Sequence, residues 1–520
     1  MFSEGGITSP GTLRFASGCE ARALVPLVAS AKRERPPEEL YSLCMSNLPY
    51  ASAPSFSEKE IMGSLSDTIA AVSTAQAPAG IGIVRLSGPE ALTIADRLYS
   101  GRKGKKLADQ KGNTIHYGWI KDGDREIDEA LAVVLRAPHS YTGEDTVEID
   151  CHGGILAVNS ILSAALKCGA RIAEPGEFTK RAFLNGRIDL SRAEAVMDLI
   201  SAKSRYALES SASQLKGSMY RAVSEIRDEL MLQLAFIESA LDDPEHYSVE
   251  GREEEIRQTL RTQAEKAGKL AATFDQGKYI GGGIKTVILG KPNAGKSSLL
   301  NAMTGSERAI VTDEPGTTRD VIRETIQLEG FGLELIDTAG IRRSENKVEK
   351  IGIERSREET DTADLVLYVA DSSRELDESD RDILSMISGK QVIVIFNKSD
   401  LEEVISEKDI RDVCDYPIIK TSAKDGSGID ELKSFIKETF FKGDLSFNDE
   451  VYITNVRHKT ALDEACDSLM NAAEALDAGI PEDVYAIDIF GAVSSLDSII
   501  GGNVSEDLVN TIFEKFCMGK

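Results

Sequence analysis

An eight-residue run, Gly290 to Ser297, constrains the fold of this chain more than any other part of its sequence. It reads GKPNAGKS, follows the strand-like segment 285–289 and precedes the helix-like segment 298–303. When a GxxxxGKS run lies between a strand and a helix, its backbone amides surround the phosphates of a nucleotide at the helix N-terminus. We therefore expect a P-loop in an α/β domain, with Lys296 at the β- and γ-phosphates and Ser297 on Mg²⁺.

Three further segments follow in the order typical of guanine-nucleotide sites, each directly after a strand-like run. Asp337 to Gly340 predicts a carboxylate that holds Mg²⁺ through water and an amide at the γ-phosphate. Asn397 to Asp400 ends in a carboxylate that can accept hydrogen bonds from guanine N1–H and N2–H, which adenine does not offer. Ser422 to Lys424 resembles the last guanine-binding loop of GTPases. Because nucleotides bind at the carboxyl ends of strands in open α/β sheets, these segments favour GTP over ATP.

The predicted site lacks one catalytic group that Ras-like GTPases carry. Gly316 to Asp320 occupies a switch-like position, with Thr318 as the natural second protein ligand of Mg²⁺. Ile341 stands where Ras-like proteins have the glutamine that orients the attacking water. A polar run that follows could replace it, and its candidates are Arg342, Glu345, Glu349 and Glu354. For any one of these four, a solvated helix face is the more common role.

Two helical patterns flank this α/β segment. In the first, apolar residues recur every three or four positions, at Met219, Val223, Ile226, Leu230, Leu234, Ile237 and Leu241. The second repeats the pattern at Leu462, Cys466, Leu469, Ala473 and Leu476. Neither half alone makes a convincing bundle, so we expect one all-α helical domain interrupted by an inserted Ras-like α/β P-loop GTPase domain.

The remaining sequence completes a predicted multidomain organisation. Short strand-like runs interleaved with a helix at 155–167 predict a compact α+β N-terminal domain at 64–182. The helical domain should then cover 183–280 and 443–520, and the GTPase domain 281–442. Residues 1–63 are interpreted as a disordered extension or a start-site artefact, because Met62 offers a second start.

Composition excludes several classes of protein. A chain of 520 residues is too long for one core and predicts two to four domains. The net charge of −26 argues against broad, non-specific attraction to nucleic acid or anionic lipid. No apolar stretch approaches the roughly 18 to 20 residues that span a bilayer, so no membrane association is expected. The seven cysteines show no CxxC pair, which fits a reducing, cytoplasmic location.

Several motifs outside the nucleotide site carry a resemblance to a known family. They are Asp67–Ile69, Gly80–Arg85, Tyr141–Asp145, His152–Gly154, Pro175–Asn185 and Asp189–Val196. The chain also ends in Phe-Cys-Met-Gly-Lys, from Phe516 to Lys520. Together with the inserted GTPase motifs, these segments resemble the family of tRNA-modifying GTPases called MnmE or TrmE, over about residues 66 to 520.

The resemblance implies a homodimer formed through N-terminal domains that bind 5-formyl- or methylene-tetrahydrofolate. Matching positions imply folate contacts by Arg85, Glu148, Arg187 and Lys520. A carboxylate suits the pterin edge of a folate, and basic groups suit its glutamate tail. Arg187 departs from the lysine of the family, and the two cations differ in geometry. Without the resemblance, Arg85 and Glu148 would be interpreted as ordinary polar strand residues.

For hydrolysis, the resemblance implies activation by K⁺, which takes the place of an arginine finger beside the β- and γ-phosphates. Its ligands would be Asn293, Thr312, Glu314 and Thr317. Glu349 matches the water-orienting glutamate of the family. A site without its own glutamine or arginine would then become competent when two GTPase domains meet.

The resemblance also implies a reaction and a partner. With the flavoprotein MnmG, in a heterotetramer, the family installs a carboxymethylaminomethyl or aminomethyl group on C5 of the wobble uridine, position 34, of certain tRNAs. Folate would supply the one-carbon unit, and FAD and NADH would belong to the partner. Cys517 is either a nucleophile that adds to the uridine ring or a small buried hydrophobe, and the sequence favours neither.

Two sets of contact residues follow from the motifs and the resemblance together. The expected GTP-binding residues are Asn293, Ala294, Gly295, Lys296, Ser297, Ser298, Thr312, Thr317, Thr318, Asp337, Thr338, Ala339, Gly340, Asn397, Lys398, Asp400, Ser422, Ala423 and Lys424. The expected tRNA contacts are local basic groups, Lys180, Arg181, Arg187 and Arg192, because the chain as a whole is acidic.

Two other functions remain open on the sequence. The first is a GTPase switch in ribosome assembly, similar to the Era and Der families, which lack this N-terminal domain and this C-terminal tail. The second is a folate-dependent one-carbon transferase in which the GTPase is regulatory. The tRNA interpretation is preferred because the resemblance spans every predicted domain.

Overall fold

The structure is a computed structural model, and it describes most of the chain. The described residues are 67–101, 104–304, 324–336, 360–411, 413–441, 443, 445, 447, 450–502 and 504–519. Some predicted features therefore lie outside the described residues. They are the extension 1–63, Thr312, Glu314, Thr317, Thr318, the segment 337–340, the polar run with Glu349, and Lys520.

The N-terminal domain is built on a seven-stranded sheet with the order β3-β4-β5-β6-β2-β1-β7. Its strands are β1 Ile69–Val72, β2 Ala79–Ser87, β3 Tyr99–Gly101, β4 Thr114–Asp122, β5 Arg125–Leu135, β6 Thr146–Gly153 and β7 Arg171–Ile172. All neighbours are antiparallel except β1 and β7. Two helices, α1 Ala91–Leu98 and α2 Ile155–Lys167, pack on one face, and α2 has the predicted bounds.

The opposite face of this sheet carries an apolar patch on β4 and β5. Side chains alternate between the two faces of a strand, so Ile115, Tyr117 and Trp119 share one face of β4. They are 64%, 50% and 41% exposed, and Leu131 of β5, which lies opposite Tyr117, is 43% exposed. We call these four residues the β4–β5 patch.

A series of helices follows the sheet domain. They are α3 Glu177–Leu184, α4 Leu190–Ser201, α5 Arg205–Leu215, α6 Ser218–Asp242, α7 Glu253–Ala272 and α8 Phe274–Gly282. The boundary expected between residues 182 and 183 falls inside α3.

The inserted α/β domain contains a six-stranded sheet with the order β13-β12-β11-β8-β10-β9. Its strands are β8 Ile284–Leu289, β9 Glu324–Leu328, β10 Phe331–Leu335, β11 Leu365–Asp371, β12 Val392–Asn397 and β13 Ile418–Lys420. Its helices are α9 Lys296–Thr304, α10 Glu378–Met386, α11 Glu407–Arg411 and α12 Ile429–Phe440. All strand pairs are parallel except β9 with β10. Because β11 and β12 are buried along their whole length, they appear in the sequence as continuous apolar runs.

Three more helices complete the helical domain, α13 Val456–Asp477, α14 Glu482–Ile500 and α15 Glu506–Phe513. The stripes of α6 and α13 enter one core with α7 and α14, so the two sequence halves form a single hydrophobic cluster. One predicted core residue is wrong. Leu241 is 43% exposed and Ala240 is buried in its place, because α6 ends at Asp242 and its last turn presents Ala240 to the core. Within the described ranges, the structure contains no helix long and apolar enough to cross a membrane.

Candidate functional sites

The P-loop joins β8 to α9 and is shaped by close contacts with neighbouring strands. Gly290 has φ +139°, and a Cβ there would lie 2.2 Å from the carbonyl oxygen of Val369. Gly295 has φ +95°, and a Cβ would lie 2.1 Å from Nδ2 of Asn397. Any side chain at either glycine would displace the loop, so this backbone path requires glycine at both positions.

Lys296 is the first residue of α9, and its ammonium group folds back over the loop. Its Nζ donates hydrogen bonds to the carbonyl oxygens of Gly290 at 2.6 Å and of Lys291 at 2.8 Å. Burial lowers the pKa of Lys296. Ser297 and Ser298 are exposed in the first turn of the same helix, where backbone amides and the helix dipole favour phosphate oxygens. The start of α9 therefore combines the ammonium group of Lys296 with two exposed hydroxyls.

The buried side chain of Asn397 ties three of the predicted motifs together. Its Nδ2 donates to the carbonyl oxygen of Ala294 at 2.9 Å, and its Oδ1 accepts from the Ala423 amide at 3.2 Å. Asp400 accepts a hydrogen bond from Ser422 Oγ at 2.9 Å, and Lys424 Nζ lies 3.5 Å from its other oxygen. The structure thus brings the P-loop, the segment after β12 and the segment after β13 into one site.

Lys398 has a partner that the sequence analysis missed. Its Nζ lies 2.6 Å from Oδ2 of Asp371, the last residue of β11. Burial alone would raise the pKa of Asp371, but Lys398 and the donors of Ser373 hold it below its usual value. One signal was available, since Asp371 ends a strand-like run just as each recognised motif follows one.

The described part of the chain contains only some of the predicted metal ligands. Ser297 for Mg²⁺ and Asn293 for K⁺ are described, and Asn293 has a left-handed φ of +66°. No group of three or more His, Cys, Asp or Glu side chains that could hold a metal occurs among the described residues. The ligands that a P-loop offers are hydroxyls, amides and the nucleotide's own phosphates, which suits a hard cation such as Mg²⁺.

A second cluster forms where the C-terminal tail meets the sheet domain. The carbonyl oxygen of Gly519 accepts hydrogen bonds from Ser73 Oγ at 3.1 Å and from Arg85 Nη1 at 3.4 Å. Gly519 has φ +84°, and a Cβ there would lie 2.2 Å from the carbonyl oxygen of Val72. The tail can therefore approach β1 this closely only with glycine at this position.

Three of the predicted folate residues meet beside that tail. Arg85 Nε lies 2.7 Å from Glu148 Oε1, across the β2–β6 pair. The guanidinium groups of Arg85 and Arg187 lie 5.5 Å and 5.1 Å from the ring centroid of Tyr141. Phe178 also packs beneath Arg85, at 5.4 Å. The cluster joins a carboxylate, two guanidinium groups and two aromatic faces, which suit a flat heterocycle with an anionic tail.

Cys517 is exposed beside this cluster, and its carbonyl oxygen accepts from the Gly176 amide at 3.4 Å. The alternative role of Cys517 as a small buried hydrophobe is therefore wrong.

The expected tRNA contact by Arg181 is also wrong. Its side chain is 1% exposed and is surrounded by Asp67, Glu144 and Glu177 at 2.7, 3.1 and 2.9 Å. The charge that looked free in the sequence is neutralised inside the N-terminal domain. The other three residues keep some access to solvent, although Lys180 bonds Asn510, Arg187 lies against Tyr141 and Arg192 pairs with Asp189.

A buried ionic cluster links α4 to the chain that leaves the inserted domain. Glu194 Oε2 lies 2.6 Å from Arg457 Nη2 and 2.7 Å from His458 Nε2, and its Oε1 accepts from Asn455 Nδ2 at 3.1 Å. Burial alone would raise the pKa of Glu194, but His458 and Arg457 lower it to about 2. Burial and the charge of Glu194 raise the pKa of neighbouring Asp198 to about 6.

Replacing Asp198 by asparagine should stabilise the protein at neutral pH. The folded-state pKa lies above the ordinary value of 3.8, so the charged form is destabilising above about pH 6. That penalty declines as pH falls through 6 towards 4, where the folded carboxyl is already neutral. We expect Asp198→Asn to add about 1 to 2 kcal/mol at pH 7.5 and nothing near pH 4, in melting curves measured across this range. Asp483→Asn, which changes an exposed carboxylate, is the control. If Asp198→Asn stabilised the protein equally at both pH values, the raised pKa of Asp198 would not explain the gain.

The inserted domain also contacts the helical domain through the β9–β10 turn. The Tyr206 amide, at the start of α5, donates to the carbonyl oxygen of Gly330 at 2.7 Å. Gln327 Nε2 donates to the carbonyl oxygen of Lys203 at 2.9 Å, and the Tyr206 ring packs against Phe441. The hairpin between the two segments 305–323 and 337–359 is thus attached directly to the helical domain.

Two family models match the chain. The model described as the MnmE helical domain matches residues 190–517. The model described as the N-terminus of the GTP-binding protein TrmE matches residues 68–187. The two matches extend across the α+β domain, the helices and the inserted domain.

Relatives that align along nearly their whole length also carry the name MnmE. The tRNA modification GTPase MnmE of Lachnoclostridium phytofermentans is 51% identical over 455 residues, which cover 87% of this chain and 99% of that protein. Proteins of the same name from Bacillus pumilus and Bacillus subtilis are 47% and 46% identical, and each alignment covers 87% of this chain and 100% of the relative.

Proposed function

The chain belongs to the MnmE family of tRNA modification GTPases, and from this membership we propose which modification it makes and which of its residues carry the activity. It is a GTP hydrolase that acts in tRNA modification. We propose that, with the flavoprotein MnmG, it converts C5 of the wobble uridine of certain tRNAs to the carboxymethylaminomethyl or aminomethyl derivative. The meeting of the P-loop, Asn397 and Asp400 in one site is the observation that supports the GTPase part most directly.

For nucleotide binding, we assign the phosphates to Lys296 and to the amides at the start of α9. Asp400 accepts hydrogen bonds from the guanine edge, while Ser422 Oγ holds its carboxylate in place. Lys398 belongs to the same segment, and we assign its stem to the base. Bound Mg²⁺ would neutralise charge on the β- and γ-phosphates, with Ser297 and Thr318 as its protein ligands.

For hydrolysis, we assign orientation of the attacking water to Glu349. Ile341 cannot orient a water molecule, so another side chain must, and Glu349 is the residue that the family resemblance selects. K⁺ would be held by Asn293, Thr312, Glu314 and Thr317 and would offset the charge that develops between the β- and γ-phosphates.

For the one-carbon unit, we propose that a reduced folate binds at the cluster of Arg85, Glu148 and Arg187, with Lys520 as a fourth contact. Glu148 would accept hydrogen bonds from the pterin edge, Tyr141 would face its ring, and the cations would bind the glutamate tail. Cys517 is exposed two residues before Gly519, and we assign to its thiol the addition to a uridine placed beside the folate. FAD and NADH would be bound by the partner.

We propose that the protein acts as a cytoplasmic homodimer joined through its N-terminal domains. The β4–β5 patch supports this assembly, because contiguous exposed apolar side chains on a sheet face are typical of protein interfaces. A dimer would also bring two GTPase domains within one assembly, as the K⁺-dependent reaction requires.

Nucleoside mass spectrometry of bulk tRNA tests the proposed modification. Deleting the gene should remove C5-substituted wobble uridines, and the wild-type gene should restore them while Lys296→Ala should not. Unchanged nucleosides after deletion, in cells without a second copy, would favour the ribosome-assembly or one-carbon alternatives. If the Lys296→Ala gene also restored these uridines, the modification would not depend on GTP binding at this site.

A further inference from the structure

Two carboxylates in the segment that begins at the last residue of β11 bind lysines that belong to the nucleotide motifs. The segment runs from Asp371 to Asp380, includes the N-cap of α10, and is not part of any of the recognised motifs. One carboxylate lies on the base side of the site and the other on the phosphate side. The inference below rests on the proposed nucleotide site.

On the base side, Asp371 holds Lys398. Asp371 is 8% exposed, and Ser373 donates to it through both Oγ at 2.6 Å and its amide at 3.0 Å. These two bonds fix the carboxylate, whose other oxygen lies 2.6 Å from Lys398 Nζ. Lys398 has a left-handed φ of +65°, a conformation that non-glycine residues keep when the surrounding contacts determine it. The pair with Asp371 is such a contact.

On the phosphate side, Asp380 holds Lys291. Asp380 is 1% exposed and accepts hydrogen bonds from Tyr368 Oη at 2.7 Å and from the Asp377 amide at 3.1 Å. Lys291 Nζ lies 3.0 Å from it and also contacts Oδ1 of Asp377, the N-cap of α10, and Arg374 Nη2 lies 3.3 Å from Asp380. A buried carboxylate with this many donors keeps a fixed position.

The contact with Lys291 reaches the P-loop lysine through the backbone. The side chain of Lys291 is only 14% exposed, and its own carbonyl oxygen accepts from Lys296 Nζ at 2.8 Å. Anchoring the Lys291 side chain to α10 therefore fixes one of the two carbonyl groups that orient the Lys296 ammonium. Loss of the anchor would free the loop at the residue next to Gly290.

We infer that Asp371 and Asp380 are positioning residues of the nucleotide site, Asp371 for Lys398 at the base and Asp380, through Lys291, for Lys296 at the phosphates. Neither touches the nucleotide itself. Loss of Asp371 should affect GTP and GDP alike, because both nucleotides have the same base. Loss of the contact between Asp380 and Lys291 should affect GTP more than GDP, because only GTP has a γ-phosphate.

Equilibrium binding of fluorescent GDP and of a non-hydrolysable GTP analogue to the full-length protein tests this inference. Asp371→Asn should weaken both nucleotides by a similar factor, about tenfold, since hydrogen bonds to charged groups contribute at this level. Lys291→Met, which removes the contacts with both Asp377 and Asp380, should weaken the GTP analogue about tenfold more than GDP. Asp380→Asn should show the same difference to a smaller extent, because Asp377 still contacts Lys291. Lys291→Arg should restore most of the affinity, because the pair with Asp380 is kept. The exposed Lys408→Met is the matched control.

The outcomes separate this inference from the proposed site. If Lys296→Ala and Asp400→Asn bind nucleotide like the wild type, the site assignment fails. If those two lose binding while the Asp371 and Asp380 variants do not, only the positioning role fails. Equal losses for GDP and the GTP analogue in Asp380→Asn, together with a lower melting temperature, would show a purely structural role. If Asp380→Asn does not fold, Lys291→Met and Lys291→Arg still allow the affinities for GDP and the GTP analogue to be compared.

Discussion

Replacing Glu349 by alanine lowers the turnover number for GTP at least a hundredfold and leaves GTP affinity close to that of the wild type. A positioned group that orients or activates water contributes about 10² to 10⁴ in rate, and the site has no glutamine to take over because Ile341 occupies that position. Single-turnover hydrolysis and equilibrium nucleotide binding, measured on the same preparation, separate the two quantities.

A matched control and a cation exchange sharpen that expectation. Glu345→Ala changes a carboxylate of the same polar run and should leave turnover within a few-fold of the wild type. Exchanging K⁺ for Na⁺ at equal ionic strength should slow the wild type strongly, and should slow Asn293→Ala much less. A large loss of GTP affinity in Glu349→Ala would make this residue structural, and an absent cation effect would remove Asn293 from the K⁺ site.

Replacing Asp400 by asparagine should change the preferred base of the protein from guanine to xanthine. The carboxylate offers two acceptors to guanine N1–H and N2–H, whereas an amide presents a donor to one of them and leaves it unpaired. Sites built to hydrogen-bond a group reject the wrong partner by about 10³-fold or more. Xanthine has a carbonyl oxygen where guanine has its amino group, so the asparagine amide can donate to it.

Competition between GTP and XTP measures this exchange directly. We expect Asp400→Asn to lose GTP affinity about a thousandfold and to bind XTP more tightly than GTP. Asp425→Asn is the control, because it changes a carboxylate of the segment after β13, which accepts hydrogen bonds from Ser427 and is not assigned to the base. If Asp400→Asn keeps its preference for GTP, the guanine edge is recognised by a different group.

Local features of this fold could be predicted because their signals are local. β11 and β12 are buried on both faces, so each leaves a continuous apolar run, and Asp400 was predicted to lie near the P-loop because both follow parallel strands. The helical stripes were predictable for the same reason, since a helix repeats its core face every three or four residues. The prediction was wrong at Leu241, because Ala240, three residues after Ile237, takes the core position in the last turn of α6.

Charged residues were predicted least well, because a charge looks the same in the sequence whether it is solvated or paired. Arg181 has three carboxylate partners, two of them more than 30 residues away, and Glu194 pairs with His458 across 264 residues. Asp371, the last residue of β11, lies 27 residues before Lys398, which follows β12. No spacing rule connects such partners, and only the folded backbone brings them together.

The contact between the tail and Arg85 also concerns the order in which the protein is synthesised. Gly519 follows Arg85 by 434 residues, and at about 5 to 20 residues per second the ribosome needs roughly 20 to 90 seconds to make that stretch. Throughout that time the N-terminal sheet can fold, but the cluster that holds Arg85 stays open at the position of Gly519. The proposed one-carbon site is therefore finished only after translation of its last segment, and a prematurely terminated chain would have a folded GTPase domain beside an unfinished folate cluster.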